Sequence, residues 1–452
     1  MRLRQLAAPL AALWLAACGV ENFDRSSAGD DNTAYTLMFP YYAEFCALSQ
    51  IKKKVGFGAD IRGEIGGHAV FYLNGACRDG DDLYPVLRVC ADTPAERMDG
   101  IGISMNAHFS NAKWAAVPGR RFFFQGNLDV GDRLTRDAYQ RTQIEAKRQR
   151  LYDAIDFHSE VFNDMPAGMS QRDYKYEVSI ATDYAIEFGR GRYCNRIPVT
   201  RAQMVRMVDY LNQQNAPYHD RSRIFHWSVF QDNCIHLAHN ALAAAGVWDE
   251  WPIDRYLAIA IFDFPVPKNE FVNVVRRTNN LSLLDPLTAY QDDAARRSLV
   301  EFGRLPVGPG SIAHAYPPVR QNDVYDTDLK LIFYDEPNFG SYQKWLDTIF
   351  TAPVYFDLEH NLAGFADAYD RVLATRRPAS EWIGQARFNA PADRQSFPDF
   401  DQRFYAAVEQ ALTSTRANLS RLRSTHTSTA RQDLKTERMN SFGPSNQRPA
   451  KP

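Results

Sequence analysis

Residues 230–242 read FQDNCIHLAHNAL, and the rest of the fold is predicted outward from this stretch. The aromatic and β-branched run at 224–230 favours a strand, and a helical pattern follows it directly. Asp232 and Asn233 belong to the residue types whose side chains accept hydrogen bonds from the first amides of a helix. Cys234 is therefore predicted at the first helical position, where the helix dipole favours the thiolate. This arrangement is typical of a cysteine nucleophile.

The two histidines that follow in the same helix are poorly placed to serve this thiol. At roughly 100° per residue, His236 lies about 200° around the helix from Cys234, and His239 lies about 140° around and more than a turn further on. The base is therefore expected from elsewhere, and His68 is the best candidate. It stands on a predicted strand after two glycines that would let another backbone or a substrate approach closely. It would accept the thiol proton and later protonate the leaving group.

A third polar residue would fix the tautomer of His68, and Asn106 and His108 on a neighbouring predicted strand are the candidates. The first backbone amide of the helix, beside Asp232 and Asn233 as capping or oxyanion residues, would contribute to an oxyanion hole. Each of these residues could instead be structural, since isolated buried thiols and histidines usually are. A zinc site in residues 230–242 is a further alternative, but the thiol lies off the histidine face. No metal and no cofactor is expected.

The N-terminus, residues 1–17, is predicted to be a lipoprotein signal peptide. A basic start leads into an apolar core at 6–14 that is too short for a good membrane span. Leu15-Ala16-Ala17-Cys18-Gly19 then resembles a bacterial lipobox, which implies cleavage before Cys18 and lipid attachment to it. An ordinary secretory signal is the alternative. By the same resemblance, Gly19 permits the outer membrane, so the expected location is the bacterial cell envelope, lipid-anchored and facing the periplasm.

Composition bounds the partners and the redox state. The formal net charge of -2 gives no electrostatic bias, so binding to nucleic acid is not expected. The six cysteines include five beyond Cys18, and an exported compartment allows disulfides. Cys77 and Cys90 flank a Gly/Asp-rich turn, so they are a candidate disulfide across a hairpin. The odd number left after Cys18 leaves at least one free thiol, for which Cys234 is the candidate.

The 452 residues are long enough for two domains, or for one large domain with elaborations. The predicted organisation is a tether at 18–33, a catalytic domain at 34–255, a mostly helical extension at 256–423 and a disordered tail at 424–452. Strands are predicted at 66–73, 83–90, 100–109, 120–124, 175–187 and 328–334. Helices are predicted at 41–51 (or a turn), 133–156, 200–211, 268–277, 287–302, 341–350, 360–375 and 400–422.

A glycine-preceded His68 on a strand, followed much later by Asn233-Cys234 opening a helix, resembles the circularly permuted papain-like (NlpC-type) thiol hydrolases and acyltransferases. More narrowly, the run from Asn195-Arg196 through 200–211 to Cys234 resembles the Lnb-type periplasmic domain family, some of whose members are lipoprotein N-acyltransferases. The resemblance covers residues 60–245. It implies an α+β fold with a permuted papain-like core, in which an antiparallel sheet packs on the helix that carries the cysteine.

One departure bears on the substrate, because the family commonly has a threonine soon after the cysteine, where this chain has Ile235-His236. The function expected is that of a membrane-anchored thiol acyltransferase or hydrolase working through a thioester acyl-enzyme. The acyl group would pass to an amine, such as the α-amino group of a lipoprotein, or to water. The alternatives are a cell-wall peptide amidase or peptidase, and a catalytically inactive envelope scaffold that binds through its C-terminal half. The expected partners are membrane lipid at the anchor and a lipoprotein or wall-peptide substrate.

Overall fold

The computed structural model describes residues 18–22, 26, 32–57, 62–63, 67–80, 83–93, 96, 98–253, 256, 266–327, 330–334, 341–385 and 391–441. The predicted signal peptide lies outside the described residues, as do residues 442–452 of the predicted tail. Among the described residues, none of the helices is both long and apolar enough to span a membrane.

The protein has an α+β fold built on an antiparallel sheet, with a helical C-terminal part, as the sequence predicts. Its strands are β1 (Cys18–Asn22), β2 (Tyr42–Leu48), β3 (Ile51–Lys52), β4 (Arg62–Gly63), β5 (His68–Asn74), β6 (Ala76–Arg78), β7 (Leu87–Val89), β8 (Gly100–Met105), β9 (Trp114–Pro118), β10 (Arg192–Pro198), β11 (Ile312–Tyr316) and β12 (Lys330–Tyr334). Six of them form the central sheet in the order β11-β10-β2-β5-β8-β9, and every neighbouring pair is antiparallel. The others form the two-stranded pairs β1-β12, β3-β4 and β6-β7.

Helices pack on both faces of this sheet and make up most of the C-terminal part. They are α1 (Asn32–Met38), α2 (Arg120–Gln125), α3 (Arg136–Arg148), α4 (Gln171–Ser179), α5 (Arg201–Asn215), α6 (Cys234–Ala244), α7 (Pro267–Thr278), α8 (Pro286–Gln291), α9 (Asp293–Phe302), α10 (Tyr342–Thr351), α11 (Leu358–Ala374), α12 (Ala379–Gln385) and α13 (Pro391–Ser441). Helix α5 begins where the sequence indicates, because Thr200 and Gln203 form a capping box at its start.

Side chains alternate across β2, so the two faces of the sheet belong to different cores. Ala43, Phe45 and Ala47 contribute to one core, which we call the helical face because α5, α6 and α7 complete it. Tyr42 and Leu48 contribute to the other, which we call the aromatic face because tyrosines and phenylalanines dominate it. Both faces of the sheet are thus covered, and all seven residues of β2 are buried.

The C-terminal part is joined to the sheet and also has a core of its own. Helix α7 packs on β2 and β10, and β11 is an edge strand of the central sheet. A third apolar core lies between α8, α9, α11 and α13. The helical extension predicted from residue 256 is therefore continuous with the sheet.

Two disulfides join four of the described cysteines. Cys77 and Cys90 are joined beside the β6-β7 hairpin. Cys46 and Cys194, for which no partner was predicted, are joined across neighbouring positions of β2 and β10. Among the described residues, the free cysteine is Cys234, which is buried.

Several predicted elements are wrong, each for a local reason. Residues 41–51 form β2 and β3, not a helix, because burial on both faces removes the alternation that marks a strand. The aromatic run at 120–124 is helix α2, because Phe122, Phe123 and Phe124 pack into the aromatic face from a helix. Residues 171–179 are helix α4, which begins at the capping residue Ser170.

The chain at 224–230 is also not a regular strand. It approaches α6 as an irregular segment with an isolated bridge between Ser228 and Asp232. At the chain ends, β1 lies within the predicted tether and pairs with β12, and α13 extends to Ser441, into the predicted tail.

Candidate functional site

The start of α6 is fixed by Asn233. Its Oδ1 accepts from the amides of Ile235 at 2.8 Å and His236 at 3.2 Å, and its Nδ2 donates to the carbonyl of Val229 at 2.7 Å. The side-chain amide of Asn233 therefore caps the helix and holds the preceding loop against it. Cys234 is held as the first residue of α6, at the positive end of the helix dipole.

Asp232 has a different role from that of Asn233. Its carboxylate forms an ion pair with Lys113, with Nζ and Oδ2 2.7 Å apart, and Lys113 is buried. Burial raises the pKa of Asp232, and the ammonium group of Lys113 acts in the opposite direction. Asp232 therefore anchors the loop before the helix to the residue that precedes β9, while the cap itself is Asn233.

This anchor shows at which end of the sheet the thiol lies. Lys113 directly precedes β9, whose first residue Trp114 pairs with Met105 at the end of β8. Strand β8 runs antiparallel to β5, so β8 ends where β5 begins. The first residue of β5 is His68, and α6 packs against both strands. The N-terminus of α6 and His68 therefore lie at the same end of the sheet.

His68 belongs to a buried hydrogen-bonded network. Its Nε2 lies 3.0 Å from Oγ of Ser104, and that hydroxyl donates to Oδ1 of Asp183 at 2.6 Å. Asn106 donates from Nδ2 to the other carboxylate oxygen of Asp183 at 2.9 Å. All four residues are buried. The network fixes the orientation of the imidazole ring.

The network also fixes the tautomer of the neutral ring. A carboxylate only accepts hydrogen bonds, so the Ser104 hydroxyl gives its proton to Asp183 and offers its lone pair to His68. Nε2 of His68 therefore carries the hydrogen, and Nδ1 carries the lone pair. A histidine held in this way can accept a proton at Nδ1, which is the requirement for a general base.

The sequence predicted the third residue only in part. Asn106 enters the network one step further out, through Asp183, and its Oδ1 accepts from the backbone amide of His108 at 3.0 Å. The ring of His108 lies 5.9 Å from that of Phe157 on the aromatic face. Ser104 holds the position next to His68. It stands two residues before Asn106 on the same predicted strand, so that spacing was the available signal.

The other two candidate histidines, on α6, have structural partners. His236 is fully buried, and its Nδ1 lies 3.1 Å from the Asn233 Oδ1 that caps the helix. His239 is stacked between two indole rings, with centroids 4.1 Å from Trp248 and 3.7 Å from Trp251. Its Nδ1 lies 2.8 Å from Oε1 of Glu270. These contacts hold α6 against the surrounding chain.

The faces of the sheet set the geometry between thiol and imidazole. Side chains alternate between the two faces along β5, so His68 lies on the aromatic face with Val70. Its register partner in the neighbouring strand β2 is Leu48, which also lies on the aromatic face. Cys234 belongs to the core of the helical face, together with Ala69. His68 is the first residue of β5, so a contact between its imidazole and the Cys234 thiol would have to form around the end of the sheet.

Two clusters of cysteine and carboxylate side chains resemble metal donor sets. Among the described residues, two groups of three bring cysteine and carboxylate ligand atoms close together, Cys46 and Cys194 with Glu44, and Cys77 and Cys90 with Glu96. Both pairs of sulfurs are in disulfides, so they offer no thiolate.

No family model matches the chain, and neither curated proteins nor solved structures give a match.

Proposed function

We propose that the protein is a thiol-dependent acyltransferase or hydrolase of the bacterial cell envelope. Cys234 attacks an ester or amide carbonyl, and Nδ1 of His68 accepts the thiol proton. The tetrahedral intermediate collapses to a thioester as the protonated histidine gives its proton to the leaving group. An amine or water then attacks the thioester, His68 takes the proton of that nucleophile, and the thiol is released.

One observation carries this proposal: a histidine oriented by Ser104 and Asp183 lies at the end of the sheet where α6 begins with a cysteine. A capped helix start favours the thiolate. The amide of Cys234, at the helix start, would bind the developing oxyanion. Ser104 and Asp183 act as positioning residues through His68.

The chain order supports the finer assignment of the fold. A histidine on a central strand precedes a cysteine that opens a helix packed on the same sheet, as in a permuted papain-like core. In this interpretation Ser104 is the third residue of the site, after Cys234 and His68. Asp183 accepts a hydrogen bond from Ser104 and another from Asn106. The lipid anchor at Cys18 belongs to the same proposal, and β1, which starts at that residue, pairs with β12. The anchor would then hold the folded part close to the membrane.

Alkylation of Cys234 by iodoacetamide over a pH series tests the pair, with the labelled peptide quantified by mass spectrometry. A thiol activated by His68 labels at a pH well below that of a free cysteine, and His68→Gln and Ser104→Ala slow labelling at neutral pH. His360→Gln is the matched control, because His360 is exposed on α11. If His68→Gln leaves the pH profile of Cys234 unchanged, the catalytic pair is refuted and the inactive scaffold is favoured.

The acyl donor and acceptor are a separate question. Incubating the protein with membrane phospholipids, lipoprotein peptides or cell-wall peptides, followed by mass spectrometry of the Cys234 peptide, detects the thioester directly. An adduct of fatty-acyl mass supports the acyltransferase, and a peptidyl adduct supports the wall-peptide amidase. Cys234→Ser serves as the control that forms no thioester.

A further inference from the structure

A second feature lies in the C-terminal part of the protein, far along the chain from Cys234. Arg304 follows Gly303, the left-handed residue that ends α9. Within the described chain, its guanidinium group forms no ion pair with a carboxylate, and the groups that act on its charge are the phenols of Tyr35 and Tyr369. Burial lowers the pKa of Arg304 from its ordinary value. The Arg304 side chain is half-buried, so part of its hydration is lost without a carboxylate partner among the described residues.

Arg304 borders a cavity of about 340 Å³. Such a volume falls within the range of roughly 300–1,000 Å³ that small-molecule sites occupy. Much of the wall is apolar, with Phe39, Leu305, Val307 and Val408 among its residues. A smaller polar sector comes from α13. The cavity therefore combines one cationic group with an extended apolar surface.

The backbone around Arg304 leaves room for its side chain. A Cβ atom at Gly308 would lie 3.1 Å from Nη2 of Arg304, closer than ordinary contact. Glycine at this position thus accommodates the guanidinium group. The C-terminal turn of α9 supplies partial negative charge from its carbonyls, but a helix end amounts to only about half an elementary charge. A bound anion would supply the full counter-charge.

We propose that this cavity binds a small amphipathic anion, whose charged group pairs with Arg304 and whose alkyl chain lies along the apolar wall. A carboxylate or a phosphate on a chain of medium length has this chemistry. A guanidinium group binds either a carboxylate or a phosphate in a bidentate geometry, through two parallel hydrogen bonds. The site depends on Arg304 and the α9–α13 cavity alone, so it stands or falls independently of Cys234.

Isothermal titration of the full-length protein tests the site with decanoate, decyl phosphate, decanol and acetate. We expect decanoate or decyl phosphate to bind saturably, at least about tenfold more tightly than decanol or acetate, because losing a charge-assisted hydrogen bond costs about that much. The tighter of the two anions identifies the charged group. Equal binding of decanol, or no binding of either anion, overturns the proposal.

Variants separate the site from general effects. Arg304→Met removes the charge at similar length and is expected to weaken binding of the anion at least about tenfold. Its ligand-free form should unfold at the same or a higher temperature, because a half-buried charge without a carboxylate partner has been removed. Arg403→Met, on the exposed side of α13, is the matched control. Ala411→Phe should block the cavity. If Arg304→Met binds as tightly as the wild type, the proposal is wrong.

Discussion

The two faces of the central sheet differ in what they bury, although they share the same strands. The helical face carries small residues such as Ala43, Ala47 and Ala69, so the helices above it can approach closely. The aromatic face carries large rings and also charged groups, of which Glu44 is fully buried. Ala43 and Glu44 are neighbours in β2, so one step along the chain changes the environment from apolar to ionic.

The proposed catalytic pair draws one member from each face. Cys234 belongs to the helical side and is positioned by a helix cap, while His68 belongs to the aromatic side and is positioned by a polar network. The helical face thus supplies the nucleophile and its dipole, and the aromatic face supplies the buried hydrogen bonds that orient the base. The proposal therefore requires that the thiol and the imidazole meet at the end of the sheet where β5 and α6 both begin.

The largest expected effect concerns the disulfide of the aromatic face. Cys46–Cys194 closes a sequence separation of 148 residues and Cys77–Cys90 one of 13 residues. Loop-closure entropy in the unfolded chain then predicts a loss of about 5 kcal/mol for the double variant Cys46→Ala/Cys194→Ala and about 3 kcal/mol for Cys77→Ala/Cys90→Ala. Denaturant unfolding of both variants measures the difference. An equal loss in the two would show that loop length does not set these contributions.

Glu44 is the next test of the aromatic face. Its carboxylate lies 2.9 Å from Nη2 of Arg120, 3.6 Å from Nη1 of Arg192 and 3.5 Å from Nε of Arg196. Glu44→Ala leaves the buried Arg192 and Arg196 and the half-buried Arg120 without that carboxylate, so the free energy of unfolding should fall by about 3–5 kcal/mol. Glu301→Ala, in an exposed ion pair with Arg206, should cost less than about 1 kcal/mol. A loss at Glu44 as small as at Glu301 would contradict the ionic role of the aromatic face.

Local signals were sufficient for the parts of the fold whose pattern lies within a short stretch. The capping box at Thr200 and the Asn233 cap mark the starts of α5 and α6, and glycine-bounded apolar runs mark β5 and β8. Strand β2 was not predicted as a strand because burial on both faces leaves no alternation, and the segment containing Glu44 and Cys46 then resembled a helix. Once β2 was missed, the disulfide to β10 could not be predicted either.

The candidate site was predictable to the same extent. Cys234 and His68 could be proposed from their own neighbourhoods, one at a helix start and the other on a strand. Ser104 and Asp183 could not, because their contact joins residues that are far apart in the chain. Asp183 lies within residues 175–187, which are predicted as a strand, whereas helix α4 ends at Ser179 and Asp183 stands in the turn after it, so nothing local places it near β8. Polar networks of this kind depend on the tertiary fold.

Overpacking tests the close approach on the helical face. Ala47 is fully buried in β2, and α7 packs against that strand. Ala47→Leu adds apolar atoms where there is no space, so it should lower the free energy of unfolding by about 1–3 kcal/mol. Ala107→Leu, at an exposed position after β8, is the control and should stay within about 0.5 kcal/mol of the wild type. If Ala47→Leu raises the free energy of unfolding, the helical face contains unfilled space at this position and the overpacking prediction is wrong.

The smallest expected effect is at the cap that holds the nucleophile. Asn233→Ala removes the acceptor for the amides of Ile235 and His236, so the free energy of unfolding should fall by about 1 kcal/mol, and Asn233→Ser should restore part of it. Because the cap also fixes the first turn of α6, alkylation of Cys234 should slow in the alanine variant and recover in the serine variant. Comparing stability with labelling rate separates the two roles of the cap. If stability falls and the labelling rate does not change, the cap supports the helix alone, and the reactivity of the thiol depends on the aromatic face.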